Sequence, residues 1–192
     1  MSNSDESTFL AGAAGTHEVE VGVGPVPAET KKVRIVRLPT QVSDMEVIVP
    51  YAMVAEITEV MLPEGGTHLS RLDAAMVDWR AQRIPLVSLE AMLNEPLPTI
   101  GQRVRCAVMY GSNPDIALPY YAVLLSGVPR SEEVNMHSFS EEASSEGGFW
   151  RLSAEMGGRR VGVPDIRWLE SQIDEMRMRF DRDSTTALNE TL

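Results

Sequence analysis

Hydrophobic and polar positions alternate along most of the chain from Val33 onward, and the alternation is broken at regular intervals by Pro, Gly, Asn and Asp. That pattern predicts short strands joined by turns. Val33 to Leu38 and Met45 to Val49 form a first hairpin around Pro39 to Asp44. Pro50 then suits the start of a brief helical turn at Tyr51 to Val54, and Ala55 to Met61 alternates as a strand. Leu62 to Asp73, with Pro63, Gly65 and Gly66, reads as a loop. Ala75 to Arg80 and Arg83 to Leu89 predict a second hairpin with its link at Ala81-Gln82, followed by a short helix from Glu90 to Asn94. Arg103 to Tyr110 becomes wholly apolar toward its end, as expected of a strand entering a core, and Leu118 to Leu125 returns after a turn at Gly111 to Asp115. A weaker strand around Glu133 to His137 precedes an acidic, Ser-rich loop at Ser140 to Gly148. Phe149 to Met156 and Arg159 to Val163 flank Gly157-Gly158, the strongest hairpin signal in the chain.

Only the C-terminal segment changes period. Ile166, Leu169, Ile173, Met176 and Phe180 fall three and four residues apart, which predicts a helix from Asp165 to about Asp181, ahead of a polar tail from Asp183 to Leu192. Residues 1–31 are rich in Ser, Gly, Ala, Glu and Pro, and they offer too little apolar surface to offset the entropy of ordering. They read as a disordered leader, in which Val19, Val21 and Val23 allow at most a short edge strand. The expected layout is a leader at 1–31, a folded domain at 32–176, and the end of the helix with its tail at 177–192.

At roughly 150 residues per domain, 192 residues fit one domain or two small intertwined ones. Hydrophobic residues are 43% and charged residues 23% of the chain, the composition of a globular protein with a core. The net charge of −11 repels phosphate backbones and anionic lipid, which argues against nucleic acid as a partner. No apolar run approaches the about 20 residues of a membrane helix, the start is acidic, and Cys106 is the only cysteine. A cytoplasmic protein with neither disulfide nor membrane insertion is expected.

The chain also resembles itself. Ala81 to Leu93 aligns with Gly158 to Glu170, each reading as hairpin turn, short apolar strand and helix start, with Ser88 or Asp165 placed to cap the helix. Two related β-units are therefore expected, of the kind that close on themselves to remove exposed edges. Tyr51 followed by Val54 to Ile57, then Asp78-Trp79-Arg80-Ala81 with Ile84 to Leu89, resembles the CheW-like adaptors of bacterial chemosensory arrays. The resemblance spans roughly Val33 to Ile173. Leu118 to Leu124 and Gly127 to Arg130 are most similar to the ChpC-type accessory branch of chemosensory pili systems.

That resemblance implies a mainly β fold of two five-stranded SH3-like barrels with short helices and a C-terminal helix. It implies a non-enzymatic adaptor that couples a chemoreceptor's cytoplasmic tip to the regulatory domain of a histidine kinase, alongside another CheW-like adaptor and under type IV pilus control. The family's partner-binding arginine falls on Arg80, so Asp78, Trp79, Arg80 and Arg83 are the candidate partner-binding residues. The family's Asn, Leu and Gly are replaced here by Asp78, Trp79 and Ala81, and the Asp of the return strand by Ser88, which points to a divergent partner.

Other chemistry finds little support in the residues. Trp79 is either core or an exposed anchor, and strand alternation places it opposite Arg80. Cys106 reads as a buried, inert thiol. His17, His68 and His137 are scattered without ligand spacing, so no metal and no cofactor is expected. The acidic clusters read as solvated faces, and Glu170, Asp174 and Glu175 as the exposed side of the last helix, balanced by Arg177, Arg179 and Arg182. A small-molecule sensor using a groove between the two β-units is the alternative function.

Overall fold

A computed structural model describes residues 32–63, 75–135, 140–142 and 148–189, with side chains described outside 140–142 and 180–189. The leader, most of the loop after Leu62, and all three histidines lie outside the described residues. The strands are β1 (Lys32–Leu38), β2 (Glu46–Pro50), β3 (Val54–Met61), β4 (Ala75–Trp79), β5 (Gln82–Val87), β6 (Arg103–Tyr110), β7 (Tyr120–Leu125), β8 (Arg130–Asn135), β9 (Ser140–Glu142), β10 (Trp150–Met156) and β11 (Arg159–Pro164). Two helices, α1 (Leu89–Met92) and α2 (Ile166–Asn189), follow β5 and β11.

The fold is mainly β, with two sheets that correspond to two small barrel-like units. One runs β3-β6-β7-β5-β4 and the other β8-β1-β2-β11-β10-β9. The second sheet thus has a sixth, short strand where the sequence suggested only a solvated loop. The two sheets share one plan. Each has an antiparallel hairpin, β4-β5 or β10-β11, whose second strand runs parallel to a neighbour, β7 or β2. The segments aligned in the sequence repeat occupy equivalent places in the two sheets. The first barrel is contiguous in sequence, whereas the second is assembled from β1 and β2 at one end of the described chain and β8 to β11 at the other.

Burial explains the composition of the strands. In β6, Val104, Cys106 and Val108 point into the first barrel, while Ala107 and Met109 point toward the other sheet. Both faces are covered, so alternation disappears and the strand reads as a continuous apolar run. The largest buried cluster lies between the sheets. Val36, Leu38, Val47 and Val49 meet Met109, Tyr121 and Val123 there, and Leu169, Ile173 and Met176 of α2 seal it. Among the described residues the space between the sheets, where the sequence suggested a groove, is occupied by a shared core.

Two further expectations are corrected. The last helix continues past Asp181 to Asn189. Glu170 is fully buried instead of lining its exposed side. The Glu170 carboxylate accepts hydrogen bonds from the backbone N–H groups of Ser112 and Asn113, at 2.8 and 2.7 Å. A buried charge is tolerated when its lone pairs are satisfied in this way. Glu90 of α1 is buried too, and accepts from the Gln41 N–H at 2.6 Å and the Ser88 hydroxyl at 2.6 Å. Both helix starts are capped as their sequences suggest: the Ser88 hydroxyl accepts from the Ala91 N–H, and Asp165 from that of Trp168.

Candidate functional site

The turn between β4 and β5 is Arg80-Ala81, one residue earlier than the expected Ala81-Gln82, because Trp79 and Gln82 are the last paired positions of the ladder. Both turn residues have positive φ, 43° and 59°, the left-handed pair that a two-residue hairpin needs to match strand twist. Gly157-Gly158 does the same job in the other barrel at 61° and 76°. Holding a non-glycine pair in this region costs energy, so the surrounding contacts must fix it.

Those contacts converge on Glu56 of β3. The register between β3 and β6 slips between Val54 and Glu56, a bulge at Ala55 that turns the Glu56 carboxylate toward the hairpin. Its Oε2 accepts a hydrogen bond from the Trp79 indole N–H at 3.0 Å and an ion pair from Arg80 Nη2 at 2.8 Å. The Arg80 guanidinium lies 5.0 Å from the Trp79 ring centroid. Trp79 packs against Tyr120 with the ring centroids 4.9 Å apart and the planes inclined by 56°, and Tyr120 lies 5.7 Å from Tyr110. The result is an aromatic row ending at Arg80 and closing the first barrel between its edge strands, β3 and β4.

The candidate residues divide by exposure. Trp79 is 7% exposed and belongs to the barrel core, whereas the Arg80 side chain is 67% exposed. Asp78 and Arg83 face each other across the ladder and are both exposed. Trp79 therefore positions the turn from beneath, and Asp78, Arg80 and Arg83 form the polar surface above it. An ion pair as exposed as Arg80 with Glu56 is worth at most about 1 kcal/mol, so the guanidinium can be recruited by another carboxylate at little cost. Glu56 is the residue that strand alternation hides, since the bulge resets its facing.

Cys106 is fully buried, and its thiol is pushed up to about 11 by desolvation, with the Glu56 charge adding to the effect. Both buried glutamates are engaged by loop N–H groups. Among the described residues no three His, Cys, Asp or Glu side chains are grouped to hold a metal ion. No helix among them is long and apolar enough to cross a membrane.

No family model matches the chain, and no curated protein matches it by sequence. Among solved structures, it is similar to the scaffolding protein TtCheW from Thermoanaerobacter tengcongensis, with a TM-score of 0.52 and 11% sequence identity over 70% of this chain and 90% of that one. At that identity the likeness establishes the architecture, and the fold of this chain is CheW-like.

Proposed function

We propose that the protein is a non-enzymatic signalling adaptor of a chemosensory system, which docks on the cytoplasmic tip of a chemoreceptor and on the regulatory domain of a histidine kinase. The observation that carries this reading is the CheW-like arrangement of two barrels with Arg80 presented on a rigid, aromatic-backed turn. In this reading residues 32–176 are the adaptor domain, the protein works in the cytoplasm, and the resemblance of Leu118 to Leu124 and Gly127 to Arg130 to the ChpC-type branch supports a role in a type IV pili system beside another CheW-like adaptor. Arg80, Asp78 and Arg83 make the partner contacts, and Trp79 holds them in place. The mechanism needs binding energy alone: the adaptor shifts the kinase between active and inactive arrangements by its different affinity for the two.

Affinity capture of the tagged protein from its own cells, with mass spectrometry of the co-purifying proteins, tests the reading. A chemoreceptor or a histidine kinase is expected. Arg80→Ala retains the Trp79–Glu56 bond, so the barrel stays closed while the partner contact is lost. A loss of about 2 kcal/mol, roughly 30-fold in affinity, is expected for an interface arginine. Recovery of neither class of partner by the folded protein overturns the adaptor assignment, and an unchanged affinity in Arg80→Ala removes that residue from the interface.

A further inference from the structure

The repeat makes the two barrels comparable position by position, and at one position they differ in kind. Aligning Ala81 with Gly158 places Met156 where the first barrel has Trp79, and Gly157 where it has Arg80. Met156 is buried in the interior of the second barrel, where Arg37 lies on its sulfur, but it has no indole N–H, and Gly157 presents no side chain where Arg80 stands. Beside them is a surface cavity of about 930 Å³, walled by the β1–β2 loop, the start of β8 and the β10–β11 turn. Its volume is in the range of ligand-binding sites.

Four arginines, Arg37, Arg130, Arg159 and Arg160, line this cavity together with three acids, Asp44, Glu46 and Glu132. A lining with an excess of positive charge is unexpected in a chain of net charge −11. Most of the negative charge is already engaged. Arg37 pairs with Glu46 and with Glu132, the latter at 2.5 Å, and Arg159 pairs with Glu46 at 2.6 Å. The hydrogen bond from Arg159, aided by the charge of Arg37, outweighs partial burial and holds the Glu46 carboxyl below its ordinary range. Arg130 is exposed at the rim and has no ion-pair partner among the described residues. Beside it Val128 is 71% exposed, and Val42 and Met156 supply an apolar floor. Among the described residues β8 is the terminal strand of its sheet, and its start lines the cavity.

We propose that this cavity at the barrel mouth binds an extended acidic peptide segment of a protein partner, with a carboxylate on Arg130 and an apolar side chain against Val128 and the floor of Val42 and Met156. Three observations choose this occupant. Guanidinium groups recognise carboxylates through paired hydrogen bonds. The adjoining edge of β8 offers backbone groups to an added strand. Alternate side chains of such a strand then fall toward and away from the apolar floor. The site is separate from the Arg80 face and does not depend on the adaptor reading.

Fluorescence anisotropy of a fluorescein-labelled hexapeptide of alternating glutamate and leucine, titrated with the full-length protein at low ionic strength, tests it. Saturable binding is expected, weakened roughly tenfold or more when glutamine replaces glutamate in the peptide, and by a similar factor in Arg130→Ala. The double variant Met156→Trp with Gly157→Arg copies the closed mouth of the first barrel and is expected to abolish binding. If that variant does not melt cooperatively, Arg130→Ala, an exposed change, carries the test alone. Absence of binding, equal binding of the glutamine peptide, or binding unaffected by Arg130→Ala overturns the proposal.

Discussion

Ala81 carries a methyl group at φ 59°, where the equivalent turn of the other barrel has glycine. A non-glycine residue in the left-handed region costs roughly 1–2 kcal/mol, and replacing it with glycine returns part of this as extra freedom in the unfolded chain, roughly 0.5–1 kcal/mol. The balance is in favour of glycine. Ala81→Gly is therefore expected to stabilise the protein by about 0.5–1 kcal/mol in urea denaturation. A midpoint that falls would show that the turn is unstrained. Arg80 bears the same conformation for a different reason: its guanidinium is fixed by Glu56 and by the face of Trp79. Those contacts keep the side chain at one place on the surface, which suits a contact residue and reduces the entropy lost when a partner binds.

Glu90 and Glu170 make the same connection in opposite directions. α1 follows the hairpin of the first barrel, and its Glu90 holds the Gln41 N–H of the loop between β1 and β2 in the second barrel. α2 follows the hairpin of the second barrel, and its Glu170 holds the Ser112 and Asn113 N–H groups of the loop between β6 and β7 in the first. Each helix thus anchors the other barrel's loop. Glu170→Ala removes a fully buried carboxylate and its two charge-assisted hydrogen bonds to a partly exposed loop, so a loss of about 2 kcal/mol is expected in chemical denaturation. A loss near zero would mean that water replaces the carboxylate at no cost. The hairpins, the repeat and the apolar centres of β6 and β7 were legible in the sequence, because period-two alternation and turn residues record them directly. Glu170 was misread as part of the exposed face. It stands four residues after Ile166 and three before Ile173, within the apolar stripe, but an acid in that stripe reads as its border until the loop it binds is known. Glu56 was not legible, since a bulge moves a residue between faces without changing composition. The sixth strand was also missed, because Ser140 to Glu142 gains its order from pairing with β10 and has no apolar signal of its own.

The two barrels have separate interiors yet cannot be separate folding units. Six buried residues, Ile35, Ile48, Val134, Ala154, Met156 and Val161, make up the interior cluster of the second barrel. So few side chains cannot offset the conformational entropy of ordering its strands. Its chain is also split, with β1 and β2 on one side of the first barrel in sequence and β8 to β11 on the other, so closing it requires the whole intervening segment to be in place. The missing stabilisation comes from the cluster between the sheets, where Val47 and Val49 of one barrel contact residues of the other, and from α2 across the seam. A contact shared by two units is lost when either unfolds, which couples them. Unfolding is therefore expected to be a single cooperative transition. Two variants each retaining one tryptophan test this: Trp150→Phe with Trp168→Phe leaves Trp79 in the first barrel, and Trp79→Phe with Trp168→Phe leaves Trp150 in the second. Within each variant, the urea midpoint from tryptophan fluorescence should coincide with that from far-ultraviolet circular dichroism. A Trp150 transition that precedes the loss of secondary structure would show that the second barrel opens on its own while the first stays folded. Coincidence in both variants would mean that a partner bound at either barrel stabilises the whole molecule, because no state exists in which only one barrel is folded.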